Sequence, residues 1–176
     1  MRLFIAINLP KEIKDYLFSL EKEFRDSGKI NFVYKSNLHL TIKFLGQVGE
    51  NKLKEIKEKL SNIKFKPFEV YLNNTGIFPN KDFIRILWVD LIPKDKVIEL
   101  AKRIDEQLME FSEKQEFSAH ITLGRVKFLK NKQEFLKKLS LKIKPLKFGV
   151  KSFELMKSDL SKDGPEYTIL ETYSLE

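Results

Sequence analysis

The chain has 176 residues, 42% of them hydrophobic, with a formal net charge of +8 and no cysteine. That length suits one large domain or two small lobes sharing an interface, and the missing thiols rule out disulfides and thiolate metal sites. The basic excess is almost all lysine (28 Lys against 5 Arg), which fits either a solvated surface or a polyanionic partner such as RNA or DNA.

The apolar start, Met1 to Ile7, is too short for a signal peptide and meets Pro10 almost at once. No stretch approaches the length of a membrane span, so a soluble, cytoplasmic protein is expected. Arg2 to Asn8 reads as a strand. Pro10 suits the first turn of a helix, Ile13, Leu17, Leu20 and Phe24 recur at helical spacing, and Gly28 supplies a stop. Phe32 to Tyr34 is a short extended segment. A strand from Leu38 runs through Phe44 to Gly46. Asn51 to Ile63 places Leu53, Ile56, Leu60 and Ile63 on one helical face. Pro67 to Asn73 alternates Phe68, Val70 and Leu72 as a strand.

Arg85 to Asp95 then echoes Arg2 to Glu12 with one residue inserted, and the apolar run around Trp88 reads as core. A helix follows with Val97, Ala101, Ile104, Leu108 and Phe111 inward, and then a strand holding His120. Asn131 and Glu134 have capping-box spacing and open a helix with Phe135, Leu136 and Leu139. Pro145 to Phe153 and Tyr167 to Tyr173 close the chain as two strands joined by a turn around Lys162-Asp163-Gly164-Pro165.

One short pattern occurs twice in this sequence. Leu38-His39-Leu40-Thr41-Ile42 and Ala119-His120-Ile121-Thr122-Leu123 share the form histidine, apolar, threonine, apolar, and they use both histidines of the chain and two of its five threonines. In a strand, residues i and i+2 face the same way. Each motif therefore presents an imidazole and a hydroxyl side by side, with Leu40, Ile42, Ile121 and Leu123 turned toward a core. The flanking elements repeat as well: Pro10 and Pro93, His39 and His120, Asn51 and Asn131 succeed one another at similar intervals. The expected architecture is α+β: one bilobal domain over residues 1–176, with repeat halves of roughly 1–80 and 81–176. Each lobe is an antiparallel sheet with helices packed outside. A pseudo-twofold axis would bring His39 and His120, 81 residues apart in sequence, to face each other across a central cleft.

Two imidazoles across a cleft suit general acid–base chemistry, because their unperturbed pKa lies near neutrality. One takes a proton from a nucleophile and the other gives one to a leaving oxygen, while the threonine hydroxyls serve oxygens of a phosphoryl group between them. Two His with no Cys make a poor zinc site, so no metal and no cofactor are expected. There is no Gly-x-Ser-x-Gly elbow and no P-loop.

The paired motifs resemble those of the 2H phosphoesterase superfamily, specifically its bacterial and archaeal RNA 2′,3′-cyclic phosphodiesterases, also called 2′-5′ RNA ligases. The resemblance covers nearly the whole chain. It takes in Arg2 to Ile7, Leu38 to Gly46, Gly76 to Asn80 leading to Arg85 to Trp88, His120 to Val126, and Phe153 to Ser158 with Gly164 and Tyr167. One departure is Phe32, where the family often carries Trp. The resemblance implies metal-independent hydrolysis of RNA 2′,3′-cyclic phosphate ends, tRNA halves among them, to 2′-phosphomonoesters by a monomeric enzyme. His39 would be the proton donor, His120 the proton acceptor, and Thr41 and Thr122 the phosphate-binding hydroxyls. The alternatives are ATP-independent 2′-5′ joining at the same site and a non-catalytic RNA-binding protein.

Arg125 occupies a family-like position, but strict alternation points it away from His120 unless a bulge at Gly124 turns it in. Lys43 is a candidate for the cleft beside Thr41. Phe78, Tyr34 and Tyr167 are candidates for stacking on bases.

Overall fold

The computed structural model describes residues 1–111, 116–162 and 164–176. Asp163, in the expected turn, lies outside the described residues. The elements in chain order are β1 (Arg2–Asn8), α1 (Lys11–Glu21), β2 (Gly28–Phe32), β3 (His39–Gln47), α2 (Leu53–Ser61), β4 (Phe68–Pro79) and β5 (Ile84–Ile92). They continue with α3 (Asp95–Gln107), β6 (His120–Leu129), α4 (Lys132–Lys138), β7 (Lys147–Val150), β8 (Ser152–Ser161) and β9 (Gly164–Ser174).

The strands form one antiparallel sheet in the order β7-β4-β5-β6-β3-β1-β8-β9, with β2 added to β6. The order is a palindrome about its centre. Outward from the middle, β3, β1, β8 and β9 make one lobe, and β6, β5, β4 and β7 make the other. The outer strands are exchanged between the halves of the sequence. β4, from residues 68–79, joins β5, while β8 and β9, from the end of the chain, join β1. Only Lys151 separates β7 at one edge of the sheet from β8, next to the edge strand β9 at the other, so the sheet has to curl into a half-barrel.

The core lies between the sheet and its helices. Leu3, Ile5 and Ile7 of β1, Val89 and Leu91 of β5, Ile13 and Leu17 of α1, and Val97 and Ile104 of α3 are all buried in it. A smaller apolar cluster of Phe4, Ala6 and Met156, with Tyr167 against it, occupies the opposite face of the sheet. β1 is therefore apolar on both faces, and its sequence reads as a continuous run rather than an alternation.

Four expectations need correction. Gly28 does not simply end the first helix. α1 passes into a 3-10 stretch over Lys22–Ser27, and Gly28 opens β2, where a side chain would come within 2.1 Å of the Phe128 carbonyl oxygen. The β4 strand runs to Pro79 rather than stopping at Asn73, because Gly76, Ile77 and Phe78 continue to pair with β5. The expected strand from Pro145 to Phe153 is two strands broken at Lys151. Trp88 is not a core residue: it is half-buried on the cleft face, beside His120. The capping of α4 follows the sequence, with the Asn131 side chain accepting from the Glu134 N–H at 3.1 Å.

Candidate active site

The two lobes meet where Leu40 of β3 pairs with Ile121 of β6. Both side chains are buried, which sends their neighbours to the other face. Antiparallel pairing about that bridge sets His39 across from Thr122 and Thr41 across from His120. The outer partners correspond too. Asn8 and Ala6 of β1 lie beside His39 and Thr41, and Asp90 and Trp88 of β5 lie beside His120 and Thr122. The fold thus brings together both His/Thr pairs, which the sequence separates by 81 residues.

Each imidazole is held in the same way. His39 Nδ1 lies 2.6 Å from the Asn37 carbonyl oxygen and His120 Nδ1 lies 2.7 Å from that of Ser118. A carbonyl oxygen only accepts, so Nδ1 carries the hydrogen in both rings and the lone pair of the neutral ring is on Nε2. The Nε2 of His39 lies 2.8 Å from Thr41 Oγ1, whose hydroxyl donates to it. Burial pushes the pKa of both rings below the usual histidine value. For His39 the positive charges of Lys14 and His120 add to the effect, and in each ring the backbone hydrogen bond opposes it. Each charge disfavours the other, which suits a pair of which one member is protonated at a time.

Aromatic rings flank both imidazoles, Phe4 tilted against His39 and the others edge-on. Phe4 and Tyr167 have centroids 5.2 and 5.4 Å from His39, and Phe78 lies 5.0 Å and Trp88 6.2 Å from His120. Trp88 lies flat over Gly76, where a Cβ would come within 2.3 Å of the indole, so only glycine lets the ring reach this position.

The remaining candidates separate. On the strand β6, Leu123 is a bulge: Gly124 pairs with Leu87 and Thr122 with Trp88, so Leu123 is skipped. The bulge sits one residue before the expected Gly124, and it turns Arg125 onto the cleft face. β3 carries the matching bulge at Ile42 between Thr41 and Lys43. There it has the opposite consequence for the candidate residue. Lys43 is buried and pairs with Asp105 of α3, and both still line the cavity that holds Thr41 and His120, while the exposed Phe44 follows Thr41 on the solvent side of the strand. Phe32 likewise packs toward the core rather than the cleft edge.

Two cavities flank the histidines. One of about 750 Å³ on the His39 side is lined by Lys14, Tyr34, Asn37, Glu154 and Tyr167 among others. One of about 260 Å³ on the other side holds Thr41, Phe78, His120, Thr122 and Arg125. Lys14, Glu154 and Trp88 were not found by reading the sequence. Lys14 donates to the Ser36 carbonyl oxygen at 2.8 Å, and burial lowers its pKa. The buried Glu154 accepts from Ser152 Oγ at 2.6 Å and from the Asn8 N–H at 3.1 Å. Glu154 reaches the site through pairing of β8 with β1, which crosses the repeat, Trp88 through pairing of β5 with β6, and Lys14 from helix α1, so no local pattern marked them. Among the described residues no three His, Cys, Asp or Glu side chains form a metal cage, and no helix is long and apolar enough to cross a membrane.

A family profile described as LigT-like phosphoesterase matches residues 7–88 and 89–167, one motif in each stretch. The RNA 2′,3′-cyclic phosphodiesterase of Methanocaldococcus jannaschii is 38% identical over 98% of this chain and 100% of its own. The crystal structure of TT0787 from Thermus thermophilus superposes with a TM-score of 0.82 at 28% identity, covering 99% of this chain and 98% of that one. E. coli LigT complexed with 3′-AMP superposes with a TM-score of 0.77 at 28% identity, covering 99% and 96%. This chain belongs to the LigT-like phosphoesterase family.

Proposed function

We propose that the protein is a monomeric cytoplasmic phosphodiesterase that opens RNA 2′,3′-cyclic phosphate ends without a metal, His39 and His120 acting as acid and base. The placement of both His/Thr pairs about the Leu40–Ile121 bridge carries this reading. Pairing about that bridge sets two imidazoles and two hydroxyls at neighbouring positions on one face of the sheet, which supports their acting on one phosphate. The relatives' names supply the substrate class.

The unequal cavities support the assignment of roles. The leaving 3′-oxygen stays attached to the ribose, so the nucleoside belongs on the acid's side. The larger cavity adjoins His39, and the smaller one beside His120 suffices for water. Water attacks phosphorus as His120 Nε2 takes its proton. The bond from phosphorus to O3′ breaks, and O3′ takes the proton from His39 Nε2. The product is a 2′-phosphomonoester with a free 3′-hydroxyl, and exchange with solvent returns both rings to their starting states. The substrate's negative charge favours the protonated form of His39, opposing the burial that keeps the free ring neutral. Thr41, Thr122 and Arg125 hold the phosphate oxygens.

The test is turnover of an RNA ending in a 2′,3′-cyclic phosphate with EDTA present, the product identified by its position of phosphorylation. A 2′-phosphate is expected. A 3′-phosphate would reverse the leaving group, and a requirement for added metal would remove the two-histidine mechanism. The pH profile of kcat/KM should be a bell centred below the ordinary histidine value, because both rings are shifted downward.

A further inference from the structure

The two flanks of the cleft differ in charge: one is nearly balanced and the other is basic. β8 and β9, beside His39, hold Glu154, Asp159, Glu166 and Glu171 against Lys157, with Lys151 and Lys162 at the ends of β8; Asp159 pairs with Lys157 and Glu171 with Lys57. β2 and β6, beside His120, hold Lys29, Arg125 and Lys127 and no carboxylate, and Lys130 and Lys132 follow directly. Among the described residues none of these five cations forms an ion pair, and the neighbouring Asp26 is taken by Lys138.

Bulges keep the relevant side chains on one face. Skipping Leu123 sets Arg125 opposite Ile86. On the other edge of β6, Arg125 pairs with Asn31, Lys127 is skipped, and Phe128 pairs with Lys29. His120, Thr122, Arg125 and Phe128 therefore follow one another along the cleft face, with Asn31 and Lys29 beside them. Phe128 is 62% exposed, an aromatic ring that serves no core. Cations interleaved with a solvent-facing ring are what a single strand of nucleic acid needs: phosphates take the charges and a base stacks on the ring. At about 3.3 Å per residue the strip reaches roughly 15 Å from Thr122.

We infer that this β2–β6 strip is the track for the single-stranded RNA body lying 5′ of the cyclic end. Lys29 holds one of its phosphates and Phe128 stacks on a base, while Arg125 stays with the reacting phosphate. The terminal nucleoside stays in the His39-side cavity, and the chain 5′ of it crosses the cleft onto this strip. The inference rests on the phosphodiesterase reading above and adds a surface that makes RNA chains better substrates than mononucleotides.

Two measurements test it. The first is fluorescence anisotropy with a short RNA ending in a 3′-phosphate, which is not turned over. The second is kcat/KM on the same RNA with a cyclic end, against a nucleoside 2′,3′-cyclic monophosphate. The Lys29→Ala/Phe128→Ala variant should bind the RNA about tenfold or more weakly, with a log–log salt slope shallower by about 0.7 for the lost phosphate contact. It should lose about tenfold more activity on the RNA than on the mononucleotide. Lys29→Arg/Phe128→Ala should regain the slope. Undiminished RNA binding in the double variant, or equal losses on both substrates in a variant with unchanged thermal stability, would overturn the track. If the unaltered protein opens neither substrate, the phosphodiesterase reading falls, and the anisotropy still decides the strip.

Discussion

The corresponding helices of the two lobes each turn a carboxylate toward the sheet, Glu21 buried and Asp105 a quarter exposed, and the two acids meet different partners. Aligning Ile13, Leu17, Leu20 and Phe24 of the first lobe with Val97, Ala101, Ile104 and Leu108 of the second sets Glu21 opposite Asp105. Asp105 receives Lys43 from β3. The residue that corresponds to Lys43 on β6 is Gly124, which has nothing to offer. Glu21 is accordingly buried with Oε1 unpartnered among the described residues, and burial pushes its pKa up to about 7, with Arg25 opposing. A duplicated frame thus fixes where a polar group goes but not whether it is satisfied. The same holds in the cleft, where the frame matches His39 to His120 and Thr41 to Thr122. Around them Ala6 stands against Trp88, and Phe44 against Arg125. The matched groups supply acid and base, and the mismatched ones give the cleft a direction.

The largest expected effect breaks the match itself. Either His39→Ala or His120→Ala should lower kcat/KM by about 10²–10⁴. An aryl phosphodiester, whose leaving group needs no proton, sharpens the comparison. On that substrate His39→Ala should recover much of its loss and His120→Ala should not. Recovery in both variants, or in neither, would mean that the lobes do not divide acid from base as assigned.

The matched half of the site was legible in the sequence and the mismatched half was not. Alternation with period two put each histidine beside its threonine, and the repeat of Pro10 and Pro93 put the motifs in corresponding places. Parity fails at a bulge, however, and a bulge leaves no mark on composition. Ile42 and Leu123 look like any other apolar strand residue, yet they decide that Arg125 is exposed on the cleft face and that Lys43 is buried against Asp105. Trp88 was misread because an apolar run is compatible with burial on either face, and only the pairing with Gly76 and Thr122 shows which. The β2 strand was missed because Gly28 reads equally well as the end of one element or the start of another. The exchange of β4 for β8 and β9 between lobes depends on long-range pairing that no local pattern encodes.

The unpartnered acid gives the next effect. A buried carboxyl with a raised pKa favours folding in its neutral form, so its contribution is fully present below the unfolded value near 4.5 and is lost as pH rises through about 7. Glu21→Gln should leave stability nearly unchanged at pH 4. Above pH 7 it should add up to about 3 kcal/mol, since each pKa unit is worth about 1.4 kcal/mol. Denaturant titrations at both ends of that range check it. An equal change at both pH values would show that Glu21 does not titrate between them.

The paired acid should respond in the opposite sense. Lys43→Met leaves Asp105 without its cation in a place only a quarter exposed and should cost about 2 kcal/mol, while Lys43→Met/Asp105→Leu should recover most of that loss. If the double variant is no better than the single, Lys43 contributes through packing rather than charge.

The smallest expected effect concerns the neighbours of the histidines. Gly76 gives room to the indole of Trp88, and the corresponding small residue in the first lobe is Ala6, on the strand next to the motif rather than one further out. Size has therefore been exchanged between adjacent strands: Gly76 with Trp88 on one side, Glu154 with Ala6 on the other. Gly76→Ala would drive a methyl group into the indole at 2.3 Å. The ring has to move, and overpacking of this kind costs about 1–2 kcal/mol. Trp88 is the only tryptophan, so its emission reports the displacement directly. The shift should be accompanied by a fall in kcat, because Trp88 and Phe78, 4.9 Å apart, together hold the edge of His120. Ala6→Gly, at the corresponding place beside Thr41, should leave both emission and kcat nearly as they were. Equal effects of the two substitutions would mean that the aromatic wall of the second lobe packs the cleft without orienting its base.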